Sequence, residues 1–114
     1  MSNIFNFTAL DERMYISGQI QSSDMEFLKS QGFVSIICNR PDGEEAGQPT
    51  HSEIQAAAQE AGIAFSYVPF APANPAPDLV PNFAKALQDH PGKTLAYCRS
   101  GARCTRLYQA VQGM

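Results

Sequence analysis

The apolar residues of this chain change their period along its length. Met14 to Ser17, Val34 to Cys38, Ala64 to Val68 and Thr94 to Tyr97 are short runs rich in β-branched and aromatic residues. Each predicts a strand, and Val34–Cys38 reads as a buried one. A further short strand is predicted over Asn6 to Thr8, ahead of the polar turn Asp11-Glu12-Arg13. Helical spacing fills the intervals. Ile54, Ala57, Ala58 and Ala61 make one apolar face, introduced by Thr50-His51-Ser52-Glu53 and stopped by Gly62. Ser23-Asp24-Met25-Glu26 fits a second capping box, and Gly32 a C-terminal stop, framing a helix of about two turns. Asp78 is placed to cap a third helix, with Pro81 tolerated in its first turn and Phe83 and Leu87 facing inward. Leu107, Ala110 and Val111 start a last helical face.

Strands alternating with helices predict an α/β fold, a mostly parallel sheet flanked by helices on both faces. Ligands of such sheets collect at the carboxyl ends of the strands. That edge would gather three loops. Asn39 to Pro49 carries Pro41, Gly43, Gly47 and Pro49, and Pro69 to Pro77 holds four of the eight prolines. The third loop follows the strand ending at Tyr97.

Composition narrows the function. The 114 residues are expected to form one domain, 1–114. A hydrophobic fraction of 44% and a charged fraction of 17% are those of a soluble globular protein. The net charge of −3 speaks against general nucleic-acid binding. No run approaches the ~20 apolar residues that span a bilayer, and no secretory signal is read near the start, so no membrane partner is expected. Three cysteines without framework spacing indicate free thiols in a reducing, cytoplasmic setting. His51 and His90 read as isolated surface residues, so neither a metal nor another cofactor is expected.

The third loop carries the chemistry. Cys98-Arg99-Ser100-Gly101-Ala102-Arg103 joins a strand to a helix, and such a turn aims backbone N–H groups at one spot beside the positive end of the helix dipole. A thiol there ionises readily, because its thiolate is the anion being bound. Cys98 is therefore the candidate nucleophile, and residues 99–103 the candidate anion cradle. Four of the five arginines (Arg40, Arg99, Arg103, Arg106) follow predicted strand ends or this loop. Arg103 is the best anion ligand, having a bidentate fork. Arg99 is equally consistent with pointing outward. Arg40, Asp42, Cys104 and Thr105 are accessory candidates. Thr105 would either donate its hydroxyl to the Cys98 sulfur or pack in the helix. Cys104 would be either a resolving thiol or a helix residue in place of a small hydroxyl. Asp42 and Glu44 are either acids or ordinary turn residues. Cys38 closes an apolar strand and belongs to the core.

These segments resemble the compact cysteine phosphatases of the dual-specificity and tyrosine type. The resemblance rests on Tyr15-Ile16-Ser17-Gly18, the Val34–Cys38 strand, the Tyr67-Val68-Pro69 strand end and the Cys98 loop. More closely, the Asn39–Glu44 loop and Cys-Arg-Ser-Gly-x-Arg over Cys98–Arg103 are similar to a bacterial phosphatase-like family of unassigned function, also found fused to metallo-β-lactamase-like persulfide dioxygenases. The resemblance implies a cysteine-phosphatase fold and a thiolate mechanism without cofactor, acting on a small anionic substrate. Three positions depart from the phosphatase pattern. Its Arg falls one residue early, at Arg103, leaving Cys104 in the usual place. Tyr97 replaces the usual His. The Phe70–Pro77 segment, where a general-acid Asp is expected, has no carboxylate. The shorter loop is the pattern of rhodanese sulfurtransferases. Three readings follow: a cysteine-dependent phosphatase-like hydrolase of phosphate esters, a sulfurtransferase taking a sulfane sulfur as a Cys98 persulfide, and a non-catalytic anion-binding or redox-sensing module.

Overall fold

The computed structural model describes residues 6–113, so the ends of the expected 1–114 domain lie outside the described residues. The elements run β1 (Phe7–Ala9), β2 (Met14–Ser17), a 3₁₀ turn (Ser22–Asp24), α1 (Met25–Ser30), β3 (Ser35–Cys38), α2 (His51–Glu60), β4 (Ala64–Tyr67), α3 (Leu79–Asp89), β5 (Thr94–Tyr97) and α4 (Ala102–Gln112). They form one sheet of order β1-β2-β5-β3-β4, in which only β1 is antiparallel to its neighbour.

The pleat of the central strands sorts the core into two layers. Ile37 and Ala96 face α3 and α4, packing with Met14, Phe83, Leu87 and Leu107. Ile36, Cys38, Leu95 and Tyr97 face the other way, onto Leu28 of α1 and Ile54 and Ala58 of α2. Helices thus cover both faces, as the alternation predicts, because buried parallel strands need apolar side chains on both sides. Cys38 lies in the core as expected. Val34 does not: it is 46% exposed, and the buried strand starts one residue later.

The local signals fare unevenly. The Thr50–Glu53 box forms in full, with the Glu53 N–H donating to Thr50 Oγ1 and the Thr50 N–H to Glu53 Oε1. The Ser23–Glu26 box does not form. The chain enters α1 through a 3₁₀ turn, and the N–H of Gln21 donates to Asp24 Oδ2 at 2.7 Å, so the reciprocal pair sits two residues earlier. Asp78 occupies the N-cap position of α3 but makes no side-chain cap bond. The far end of α3 is held by Arg13, whose guanidinium donates to the carbonyls of Leu87, His90 and Gly92. Among the described residues no helix is long and apolar enough to cross a membrane.

Candidate active site at the carboxyl edge of the sheet

The carboxyl ends of β5, β3 and β4 are stitched together by one buried residue. Asn39 follows β3, and its N–H donates to the Tyr97 carbonyl at 2.8 Å. Its amide Nδ2 donates to the Val68 carbonyl at 2.8 Å, and its own carbonyl accepts from Phe70 N. These bonds bring the Arg40, Phe70 and Cys98 loops to one edge. From the other side, the Cys98 N–H donates to the Ser17 carbonyl at the end of β2.

The Cys98 loop is short because Gly101 turns it directly into α4. Gly101 has φ +95°, which an L side chain adopts only with strain, and a Cβ there would stand 3.3 Å from Ile16 Cδ1. In this conformation the Gly101 N–H donates to Cys98 Sγ at 3.0 Å. The Cys98 thiol is pulled down to about 5. The neighbouring Cys104 thiol is the largest cause, burial opposes it, and the N–H groups of Cys104, Ser100 and Gly101 add to the stabilisation. The Cys104 thiol is pushed well up by burial, so it keeps its proton and serves as donor. The Ala102 N–H is directed instead at Ser100 Oγ, at 3.4 Å. Arg99, Ser100 and Ala102 are exposed, while Cys98 and Cys104 are fully covered.

Arg103 lies where a ligand for an incoming anion is expected, and it is already bound to a carboxylate. Its Nη1 is 2.7 Å from Glu44 Oε2 and its Nη2 2.8 Å from Glu44 Oε1, a bidentate pair. Nη1 also donates to the Phe70 carbonyl at 2.8 Å. Glu44 is clasped from behind by Arg40 Nε at 3.0 Å. The Arg103 guanidinium, assisted by Arg40, holds its carboxyl below the usual range despite burial, so Glu44 is an ionised carboxylate and not a proton donor. It cannot be the acid that the sequence left open.

Three accessory candidates do something else. Arg40 was expected to help bind an anion, but it is 2% exposed and each guanidinium nitrogen is bonded: Nε to Glu44, Nη1 to Gln19, Nη2 to Glu45. It anchors Glu44 and Glu45. Asp42 is spent on His51, accepting from its backbone N–H at 2.8 Å and pairing with its Nδ1 at 2.7 Å. His51 is therefore not isolated; it also stacks on Tyr67 with ring centroids 3.7 Å apart. Thr105 donates its hydroxyl to the Gly101 carbonyl at 3.0 Å, back along its own helix, and not to Cys98. The side chain that most favours the Cys98 thiolate is instead the Cys104 thiol. Tyr97, in the position of the phosphatase His, is buried in the layer below, where burial pushes its hydroxyl far up in pKa.

Two site residues were not singled out. Gly18 allows the loop to approach β2, and Gln19 orients Arg40. Gly18 had a visible signal, a glycine directly after a predicted strand; Gln19 had none. Among the described residues no cluster of three or more metal-ligating side chains forms.

Known proteins share sequence and fold with this chain. A "Beta-lactamase hydrolase-like protein" of Xylella fastidiosa (strain Temecula1) is 37% identical over 99 residues, 87% of this chain but 23% of that protein, so the chain spans about a quarter of the relative's length. The crystal structure of a candidate phosphatase from Neisseria meningitidis Z2491 superposes with a TM-score of 0.80 at 36% identity, covering 93% of this chain and 78% of that one. The core catalytic domain of the PP-IP phosphatase Siw14 from S. cerevisiae, solved with citrate, shares the fold with a TM-score of 0.67 at 19% identity, covering 94% of this chain and 64% of that one. The architecture is thus a cysteine-phosphatase fold. Residues 6–114 match the family model of the beta-lactamase hydrolase-like protein, phosphatase-like domain, and the chain belongs to that family.

Proposed function

We propose that this phosphatase-like domain works as a cysteine-dependent hydrolase with Cys98 as its nucleophile. One observation carries the reading: the Gly101 N–H at the start of α4 donates to the Cys98 sulfur at 3.0 Å, and the thiol is held near 5. In this reading the thiolate attacks phosphorus, the phosphorus–oxygen bond to the leaving group breaks, and a phosphocysteine forms as the alkoxide or phenoxide departs and takes its proton from water. Water then cleaves the sulfur–phosphorus bond, returning thiolate and inorganic phosphate. Arg103 and the loop N–H groups hold the equatorial oxygens. Cys98 is covered, so turnover requires the side chains over it to part.

A second observation favours sulfur transfer as the alternative. Glu44 is held as a carboxylate by Arg103, and Phe70–Pro77 has no carboxylate, so neither supplies the acid that a leaving alkoxide needs. Attack of the Cys98 thiolate on the outer sulfur of R–S–SH needs no acid. It forms Cys98–S–SH and expels the thiolate RS⁻; an acceptor thiolate then removes the outer sulfur and restores Cys98–S⁻.

Parallel assays of aryl phosphate hydrolysis and of sulfur transfer to a thiol test both readings, with Cys98→Ser as control. Either activity, lost in Cys98→Ser, supports the nucleophile. Activity that survives the substitution overturns it. If neither activity appears, the non-catalytic anion-binding or redox-sensing reading takes over.

A further inference from the structure

An anion site is defined by its net charge as well as by its donors. Here two guanidinium charges, Arg40 and Arg103, meet two carboxylates, Glu44 and Glu45, and the Cys98 thiolate. Arg40 and Arg103 are each matched by a carboxylate and so offer an incoming anion no net positive charge, while Glu45 and Arg99 both lie on the exposed rim, where solvent screens them. Asp42 is paired with His51. Cys104 remains a neutral thiol.

Arg103 is divided accordingly. Of its five N–H donors, three go to Glu44 and the Phe70 carbonyl. Two remain, on the Nε–Nη2 edge, and the guanidinium is also drawn to the Cys98 thiolate. That edge can still hydrogen-bond an oxygen or sulfur, but the positive charge behind it is already matched by Glu44. The match is built in: Arg40 grips Glu44 Oε1, and Gln48 Oε1 accepts from the Glu44 N–H at 3.0 Å.

We propose that Glu44 is the specificity-determining residue of the Cys98 site, cancelling the Arg103 charge so that the site accepts reacting groups with at most one negative charge. This rests on the reading of Cys98 as the reactive centre. The favoured chemistry is a singly charged group, a phosphodiester-like or protonated phosphate centre or the end of an alkyl persulfide. The disfavoured one is the dianion of a phosphate monoester. A second charge brought within a few ångströms of the Glu44 carboxylate, with the Arg103 charge already matched, is expected to cost about tenfold in affinity.

Inorganic phosphate is a suitable probe, because it passes from monoanion to dianion near neutral pH. Its binding would be measured by calorimetry from pH 5.5 to 8 in Cys98→Ser, where the thiolate no longer titrates, and in Cys98→Ser/Glu44→Gln. The first protein is expected to lose roughly fivefold or more in affinity as pH rises; the second is expected to bind the dianion about tenfold tighter and to lose that fall. His51→Gln, in the Cys98→Ser background, controls for the imidazole bonded to Asp42 and should keep the profile of Cys98→Ser. Affinity that rises with pH in Cys98→Ser overturns the proposal, and needs no Glu44 variant to be seen. An unchanged profile in Glu44→Gln, a flattened one in His51→Gln, or no binding in either protein at any pH also overturns it. Because binding is read without turnover, an inactive Cys98 would show separately, in the assays of the preceding section.

Discussion

A methyl group on Gly18 would stand 2.8 Å from the carbonyl oxygen of Arg99. The end of β2 and the wall of the Cys98 loop are in backbone contact there, and real Cβ atoms do not approach that closely. The loop is shaped by the strand beside it as much as by its own sequence. Gly18→Ala should therefore displace the Arg99–Ser100 segment and scatter the N–H groups around Cys98. The expected result is a slower reaction of Cys98 with iodoacetamide at pH 7, by roughly tenfold, with a loss of about 1–3 kcal/mol in stability typical of overpacking. An unchanged alkylation rate would show that the loop keeps its shape without this contact.

The Cys98 thiol is held at about 5, against 9.0 for a free thiol. Alkylation rate against pH should give a midpoint near 5, and Cys98→Ser should abolish the labelling. A midpoint at or above about 8.5 would remove the reactive thiolate. The same shift sets a sign for stability. The folded state binds its proton less tightly than the unfolded state, so the contribution is fully present above the unfolded value. It shrinks as pH falls and is gone below the folded value. Between about pH 9 and 5, wild-type stability should drop relative to that of Cys98→Ser, as read from paired denaturant melts.

Cys104 is the largest single cause of the depressed Cys98 pKa. Cys104→Ala removes that donor and should raise the alkylation midpoint by about one unit, as expected for one lost hydrogen bond to a charged group. Cys104→Ser, which restores a donor, should return most of it. A purely structural Cys104 would leave the midpoint in place in both. If Cys104 also resolves an oxidised Cys98, mild peroxide should give a 98–104 cross-link by mass spectrometry. Sulfinic oxidation of Cys98 with Cys104 still free would assign Cys104 to packing and donation alone.

These residues also show what a sequence can carry. The Thr50–Glu53 box and the Gly101 turn are local, with partners within a few residues, so spacing alone locates them. The strand and helix order followed from periodicity, and the burial of β3 from the β-branched run that contains it. The partnership of Glu44 and Arg103 was illegible, since 59 residues separate them and only the sheet order brings them together. An acidic residue beside Pro41 and Gly43 reads as a turn residue until Arg40 and Arg103 are seen on either side of it. Of the two readings left open for Thr105, the helix contact is the one the fold adopts. Its hydroxyl found the nearer acceptor in its own helix, and the sulfur one residue earlier took its place.

The last prediction separates the two chemistries by their leaving groups. Cleaving a phosphate ester expels an alkoxide or phenoxide, and without an acid a poor leaving group should cost roughly 10²–10⁴-fold in rate. The nearest carboxylate to the nucleophile's arginine is Glu44, which Arg103 and Arg40 keep deprotonated. Activated aryl phosphates should therefore turn over weakly and phosphoserine peptides almost not at all. The logarithm of the rate should fall steeply as the leaving-group pKa rises. Persulfide transfer expels a thiolate, a far better leaving group, and should show little such dependence. A flat leaving-group profile with vigorous turnover of alkyl phosphates would mean that an acid is delivered to the site after all. Asp42 would then be the residue to test, since it carries a carboxylate on the same loop and is held there by His51.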